Sequence, residues 1–384
     1  MINTFVGNLG HFMTILAFVS ALVTAYAYFH YFKANEIEKA SWRRFSRISF
    51  YVHAVATTLI AVSLFEIIYN HRYEYFYAYS HSSKALPVHY MISSFWEGQE
   101  GAFILWAFWN VVLGVVLINT NKFWEGPVMI VFALVQAFLV SMILGVVIGD
   151  LKIGSSPFIL LRDATQAPIF ELNPNFVPED GTGLNPLLQN IWMVIHPPTL
   201  FLGYASTLVP FAFLMGGLVM KRYSEWIRPA LPWAIFSAMI LGMGIIMGAY
   251  WAYVTLNFGG YWNWDPVENA VYVPWLILVA AIHTMITFKK SNTALKTSIV
   301  LVILSFILVL YATFLVRSGV LGDASVHSFT DLGLSGQLLI YMLFFLGIAV
   351  FLAVRAWKHI PSSEKEASVY SREFWIFLGA VTLG

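Results

Sequence analysis

Apolar segments long enough to cross a membrane recur along the whole chain. Crossing about 30 Å of hydrocarbon takes about 20 helical residues, and nine such stretches are present. Because a helix satisfies its backbone hydrogen-bonding groups internally, it is the form such stretches take in lipid. The chain is therefore predicted to be all-α, a polytopic transmembrane helix bundle of about 9–10 spans with long outer-face loops. The predicted spans are 8–32, 48–69, 101–119, 127–149, 188–219, 230–253, 270–288, 298–316 and 335–354.

A tenth span begins near Phe374 and stops at Gly384. A half-made span would leave backbone groups unsatisfied in lipid. We therefore expect the natural protein to be longer than this sequence.

Composition supports a membrane class and limits the chemistry. Of the 384 residues, 59% are hydrophobic and 11% charged, whereas soluble domains average about 45–50% and 25%. The net charge of +1 gives no reason to expect a nucleic-acid partner. With no cysteine, the chain has neither a disulfide nor a thiolate, so any metal site must use His, carboxylate or Met.

The distribution of Lys and Arg predicts the orientation. Sixteen of the 21 basic residues fall in alternate connections, beginning with the one after the first span, and five fall in the others. Basic loops mark the cytoplasmic side, so the N-terminus is predicted to lie outside. The outer connections 70–100, 150–187 and 254–270 are long and aromatic, which places function on the outer face.

Three regions are expected along the chain. Residues 1–69 form N-terminal transmembrane helices, 70–334 form the functional core, and 335–384 form C-terminal helices that are apparently truncated. The core contains the segment 257–269, which is the densest chemical signal in the sequence.

In the segment 257–269, called the aromatic segment below, a glycine pair is followed by large aromatic rings. Gly259 and Gly260 let the backbone turn closely, and Tyr261, Trp262 and Trp264 then present flat apolar surfaces at the membrane edge. Such surfaces suit a flat apolar ligand such as a porphyrin. The alternative is an interfacial aromatic belt, which the clustering of several rings beside a glycine turn disfavours.

The same segment ends in a helix-start pattern. Asp265 at the N-cap, Pro266 at the first helical position and Glu268 at the third form a capping box for the next span. Capping is the favoured role of both carboxylates. Positioning a ligand or transferring a proton is the secondary hypothesis for them.

Ten histidines are the only strong nitrogen ligands in the chain. Haem iron commonly takes axial histidines. His196, beside two prolines at the outer start of the fifth span, and His327, in the outer connection after the eighth, fall on the same side as the aromatic segment. A lone loop histidine is usually a solvated side chain, but two histidines beside the aromatic segment favour an iron site.

Three further polar residues lie in or at the spans. His283 lies inside the seventh span, where an ionisable side chain is costly and marks a functional hypothesis. Its alternative is a neutral imidazole bonded to a neighbouring helix, and His53 in the second span raises the same question. Arg317 ends the eighth span and could pair with a carboxylate ligand or act as an interfacial anchor.

These residues carry a resemblance to a known family. The segment 258–270 resembles the tryptophan-rich WWD signature of the haem-handling CcmF, CcmC and CcsA proteins. Several other segments resemble CcmF specifically, and the likeness runs in order from about Tyr77 to His327. They are 79–87, 96–101, 178–181 with 184–189, 195–198 with Gly203 and Tyr204, and 313–319.

The resemblance implies a cytochrome c haem lyase in the bacterial inner membrane. Such a protein receives haem on the periplasmic face from a haem chaperone or delivery protein and joins it to the Cys-x-x-Cys-His thiols of apocytochrome c. It implies that His196 and His327 are the outer axial ligands and that His283 is one ligand of a resident membrane haem b. Apocytochrome c, its thiol-handling factors, and a quinol or another electron donor are the expected partners.

The sequence also departs from the family pattern. Phe258 and Tyr261 stand at usual tryptophan positions, Asn263 replaces an aromatic residue, and Gln99 stands where a histidine is common. The second membrane histidine of CcmF lies beyond the end of this sequence. Two alternatives remain open: a haem transporter or delivery protein without ligation activity, and an unrelated membrane transporter.

Overall fold

The structure is a computed structural model that describes residues 4–149, 151–165, 167–256, 259–322, 325, 332–363, 372, 375, 376 and 379. Within this part of the chain, eight helices are long and apolar enough to cross a membrane. They are α1 (Phe5–Lys33), α2 (Glu36–Tyr69), α5 (Gln99–Thr120), α9 (Ile191–Val219), α10 (Ile227–Thr255), α11 (Pro266–Ser291), α12 (Leu295–Arg317) and α13 (Ser335–Ala356). The prediction of a polytopic helical membrane protein is confirmed.

Shorter elements lie between α2 and α9. These are α3 (Phe76–His81), α4 (Val88–Glu97), α6 (Glu125–Ser141), α7 (Leu161–Ala164), α8 (Ile169–Leu172), a 3₁₀ turn (Pro186–Leu188) and the antiparallel strands β1 (Val146–Ile148) and β2 (Leu151–Ile153). Helix α6 occupies the fourth predicted span, and the other elements give the connections at 70–98 and 142–190 structure of their own.

The fourth predicted span was wrong at its C-terminal end. The sequence predicted a helix over 127–149, but α6 ends at Ser141 after 17 residues and the chain turns into the β1–β2 hairpin. Gly145 and Gly149 take positive φ angles of 63° and 60°, which only glycine adopts readily, and β-branched residues follow Gly145. An apolar run cannot by itself distinguish such a strand from a helix. The predicted tenth span lies almost entirely outside the described residues.

Helix α2 begins earlier than predicted. The side chain of Asn35 accepts hydrogen bonds from the backbone N–H groups of Ile37 and Glu38, which caps a helix that runs from Glu36. The basic residues of the first connection are therefore helical. Among them, Arg43 and Arg47 reach the buried carboxylate of Glu125 at the start of α6, with N–O distances of 2.7 and 2.6 Å.

The connections between the long helices gather at two ends of the bundle. The short-loop end holds 34–35, 121–124, 220–226 and 292–294, and the long-loop end holds the described residues of 70–98, 142–190, 256–265 and 318–334. Hydrogen bonds tie the long-loop end together: the Tyr75 hydroxyl accepts from Gly7 N, Phe76 N donates to Ile159 O, and Ser155 donates to Glu100.

Helix α9 lies at the centre of the bundle. Its most apolar window is 89% buried, whereas those of α10, α11 and α13 are only 28–33% buried. Helix α10 packs closely against α9, since a Cβ at Gly244 would lie 3.0 Å from the Cα atom of Leu200. Small residues at helix interfaces permit this approach in membranes. The α9–α10 contact also positions His196, whose ring bonds to Gly244 O.

Candidate functional site

A cavity of about 470 Å³ opens at the long-loop end, between α4, α9, α10, α11 and α12. This volume is in the range of small-molecule and cofactor sites, about 300–1,000 Å³. Its wall is mainly apolar, with aromatic side chains from several elements and a few polar groups. The aromatic residues are Trp96, Phe201, Tyr204, Trp251 and Trp262, and the charged or imidazole residues are Glu97, His196, Glu268 and Arg317.

His196 lies in the second turn of α9 and lines this cavity. Its Nδ1 atom lies 2.8 Å from the carbonyl oxygen of Gly244 on α10. A carbonyl can only accept, so Nδ1 carries the proton and Nε2 carries the lone pair. The neighbouring backbone thus fixes both the ring orientation and the tautomer, as in metal-binding histidines.

Pro197, directly after His196, changes the hydrogen bonding at the start of α9. Pro197 has no N–H, so the helix cannot form the usual bond to the carbonyl of Met193. The indole Nε1 of Trp96 donates to that carbonyl instead, at 3.0 Å. This bond anchors α4 against the start of α9 beside the cavity.

The aromatic segment divides between the cavity and the surface. Trp262 lines the cavity, and its buried Nε1 has no hydrogen-bond partner among the described residues. Trp264 packs edge-on against Trp262 with ring centroids 6.1 Å apart, but it is 68% exposed and has a positive φ of 54°. Tyr261 stacks on Tyr253 of α10, with centroids 4.2 Å apart. Of the three predicted rings, only Trp262 therefore belongs to the cavity wall.

The turn before these rings uses the predicted glycines. Gly259 has a φ of 70°, in the region that favours glycine, and Gly260 continues the bend. Neither glycine is among the residues that line the cavity. Their contribution is to direct the segment back toward α11.

The predicted capping box is confirmed. Asp265 accepts a hydrogen bond from Val267 N, and Glu268 Oε2 accepts from the backbone N–H groups of Asp265 and Asn263 at 3.1 and 2.9 Å. The Ser325 hydroxyl also donates to Asp265 Oδ1 at 2.6 Å. The connection after α12 therefore reaches the aromatic segment. His327, two residues further along this connection, lies outside the described residues.

Arg317 is buried on the cavity wall. It is 6% exposed, and its guanidinium lies 5.1 Å from the ring centroid of Phe103 and 5.8 Å from that of Phe201. Such burial against two rings does not fit the alternative of an interfacial anchor. A guanidinium in this setting suits an anionic group of a ligand.

His283 lies away from the cavity. It is on an exposed face of α11, and its Nδ1 lies 2.8 Å from Val279 O in its own helix. His53 is fully buried elsewhere, with Nδ1 near Ala17 O and Nε2 2.8 Å from the amide nitrogen of Gln136. Both ring nitrogens of His53 thus have partners. Among the described residues, no group of three or more His, Asp or Glu side chains is placed to hold a metal ion.

Sequence reasoning missed two features of this site. Glu97 lines the cavity, and its pKa is raised to about 7, mainly by burial. Gly244 and Gly248 form the surface of α10 against which His196 packs. Their four-residue spacing is a recognisable small-residue signal for close helix contacts in membranes. Glu97 lies within 96–101, one of the segments that resemble CcmF, but no role was predicted for it.

These features define a class of protein. It is a multi-pass helical membrane protein with an aromatic cavity at its long-loop end, and an oriented imidazole lies on the wall of that cavity. Residues 96–321 match the family model of the cytochrome c assembly protein. Since this match covers more than half of the chain, the protein belongs to the cytochrome c assembly protein family, and it is of the CcmF type.

Individual relatives agree with this assignment. Cytochrome c-type biogenesis protein CcmF of Pseudomonas fluorescens is 38% identical over 299 residues, which cover 77% of this chain and 42% of that protein. The CcmF of Escherichia coli is 35% identical over 310 residues, covering 80% of this chain and 45% of that protein. The chain thus spans less than half the length of these curated relatives.

A solved structure shares the fold. It is described as cytochrome c heme lyase CcmF and matches with a TM-score of 0.72 at 23% identity, over 99% of this chain and 54% of that one. The whole bundle, including the helices outside 96–321, is therefore the one seen in that protein.

Proposed function

We propose that this chain takes part in cytochrome c biogenesis by binding haem in the cavity at the long-loop end and presenting it for covalent attachment to apocytochrome c. The observation that carries the proposal is His196, an imidazole on the wall of an aromatic cavity whose ring orientation and tautomer are fixed by the Nδ1 bond to Gly244 O. Family membership and the names of the relatives support it.

The cavity residues divide the task of holding haem. His196 supplies an axial ligand, Trp262 supplies a flat surface, and Arg317 pairs with a propionate. Asp265 and Glu268 hold the aromatic segment through the capping box and act indirectly. Assignment of His327 as the second axial ligand rests on the family resemblance.

The chain's contribution to the reaction is orientation. Each thioether bond forms when a cysteine S–H of apocytochrome c adds across a vinyl group of haem, so the partner supplies the sulfur and the proton. The chain holds the macrocycle and leaves its vinyl edge open to that partner.

The long-loop end is proposed to face the periplasm of a bacterial inner membrane, which puts the N-terminus outside. The proposal is supported by the sixteen Lys and Arg residues assigned to the opposite side. An impermeant amine reagent applied outside spheroplasts should label Lys84 and Lys152 but not Lys39 or Lys221. Labelling of Lys39 from outside would reverse the topology.

Substitution of His196 tests the proposed function. In the natural protein, His196→Ala should abolish assembly of c-type cytochromes, measured as haem that stays attached to apocytochrome c under denaturing electrophoresis. The variant should insert in the membrane as the wild type does. Full assembly would remove His196 from the site. If His196→Ala prevents haem binding while the wild type binds haem but never forms a thioether, the protein is a delivery factor instead.

We further propose that His283 would hold a resident haem b, which would supply one-electron transfer from a quinol or another donor. This assignment is supported by the position of His283, whose imidazole lies on the exposed face of α11 with Nδ1 directed to its own helix. A second ligand must come from elsewhere, since both ring nitrogens of His53 have partners. The full-length protein should show a low-spin b-type spectrum that His283→Ala eliminates, and a persistent spectrum would contradict the assignment.

A further inference from the structure

The cavity wall contains an acid to which the function proposed above assigns no role. Glu97 ends α4, and its Oε1 accepts a hydrogen bond from Asn185 N at 3.3 Å. Its Oε2 is buried and has no hydrogen-bond partner among the described residues. A buried carboxyl oxygen without a partner is unfavourable, so a ligand of the cavity is the natural source of one.

The groups around Glu97 already bond elsewhere. The Tyr77 hydroxyl donates to Phe95 O and accepts from Gly98 N. Glu100, three residues further on, accepts from Ser155. Burial is the main cause that raises the pKa of Glu97 to about 7, with the Asn185 N–H acting in the opposite direction. Near neutral pH, a large share of Glu97 is therefore a neutral acid that can donate a hydrogen bond.

A second wall residue restricts what the ligand can be. Arg317 has only donors and a fixed positive charge, so it repels a cationic ligand and requires acceptors. A neutral Glu97 also requires an acceptor for its proton. Carboxylates on an otherwise apolar body satisfy both groups and match the mostly apolar wall.

We propose that Glu97 binds a carboxyl group of the cavity's ligand through a shared proton, and so selects a flat ligand that carries carboxylates. The inference rests on the proposed function, because haem carries two propionates on an apolar macrocycle. Glu97 is then a specificity-determining residue that contacts the substrate at a point away from the iron.

The test compares haem with haem dimethyl ester, in which both carboxylates are blocked. Dissociation constants are measured by absorbance titration of the detergent-purified chain, for the wild type, Glu97→Gln and Glu97→Leu. Glu97→Leu should bind haem about tenfold more weakly, the effect of losing one charge-assisted hydrogen bond. Its affinity for the diester should change less than about threefold. Glu97→Gln, whose amide keeps both an acceptor for Asn185 and a donor, should bind haem within about threefold of the wild type.

Controls separate this inference from the function on which it rests. Glu171→Leu changes an exposed acid on α8 and should bind both porphyrins as the wild type does. Glu97→Met, with an unbranched side chain of similar length, replaces the leucine variant if that one fails to fold. A wild type that binds neither porphyrin would overturn the proposed function and this inference together. A wild type that binds haem, with Glu97→Leu or Glu97→Met showing the same preference for haem over the diester, would overturn the inference alone.

Discussion

His196 of α9 lies directly against Gly248 of α10, so closely that a Cβ atom at Gly248 would be 2.7 Å from the imidazole Cε1. One helical turn earlier, the carbonyl of Gly244 accepts the Nδ1 proton of the same ring. Two glycines four residues apart thus provide both the space and the hydrogen-bond acceptor that orient the imidazole. The orientation of His196 depends on α10 as much as on its own helix.

Substitution of Gly248 should displace His196 without removing it. In Gly248→Ala, the new methyl group requires the ring to move, and we expect haem binding about tenfold weaker, as for other changes to groups that orient a metal ligand. Absorbance titration measures the affinity. Gly347→Ala is the matched control, because a Cβ at Gly347 on α13 meets nothing within 4 Å. Equal affinities for the two variants would show that Gly248 does not position the ring.

The two tryptophans of the aromatic segment should differ in their effect on haem capture. Trp262 lines the cavity, whereas Trp264 is 68% exposed. Trp262→Ala should lose about 2 kcal/mol of binding, about thirtyfold, because a large apolar contact disappears. Trp264→Ala should lose less than about threefold. The opposite ranking would place the ligand on the outer side of the segment rather than in the cavity.

The features that the sequence predicted depend on local pattern. Each span and the Asp265–Glu268 capping box are encoded within one continuous stretch of sequence, and eight of the predicted spans and the capping box are confirmed. His196 and Trp262 were also predicted for one site, and they line one cavity. The sequence does not distinguish Trp264 from Trp262, and the structure shows that Trp264 is 68% exposed whereas Trp262 lines the cavity.

The features that were missed depend on contacts between distant parts of the chain. Glu97 and His196 lie nearly 100 residues apart and become neighbours of one cavity only when α4 packs against α9. The end of α6 at Ser141 depended on glycine turns within an apolar run, which periodicity does not reveal. Tertiary packing therefore decides both the boundaries and the membership of the site.

Glu125 should be important for stability at the short-loop end. Its side chain is fully buried and receives hydrogen bonds from Arg43, Arg47 and the Tyr28 hydroxyl. In Glu125→Gln, two guanidinium groups lose their counter-ion, and we expect a loss of about 3 kcal/mol in the free energy of unfolding. Thermal denaturation in detergent measures the loss. Glu36→Gln removes an exposed pair with Lys39 and should change stability by less than about 0.5 kcal/mol. Similar effects of the two variants would contradict a stabilising role for the buried cluster.

Glu97 should make the stability of the fold depend on pH. Burial raises the pKa of Glu97 in the folded protein from 4.5 to about 7, so between these values the folded state binds more protons than the unfolded state. The free energy of unfolding therefore falls as pH rises, by at most about 1.4 kcal/mol per pH unit for one group. The stability associated with a neutral Glu97 is fully present below about pH 4.5 and is lost as pH rises through about 7.

Melting curves between pH 5 and 8 test this dependence. The melting temperature of Glu97→Gln should fall less with rising pH than that of the wild type. Glu171→Gln, an exposed acid, should keep the wild-type slope. If the melting temperature of Glu97→Gln falls with pH as steeply as that of the wild type, the pKa of Glu97 is not raised. Its carboxyl group is then in contact with water or a cation rather than buried on the cavity wall.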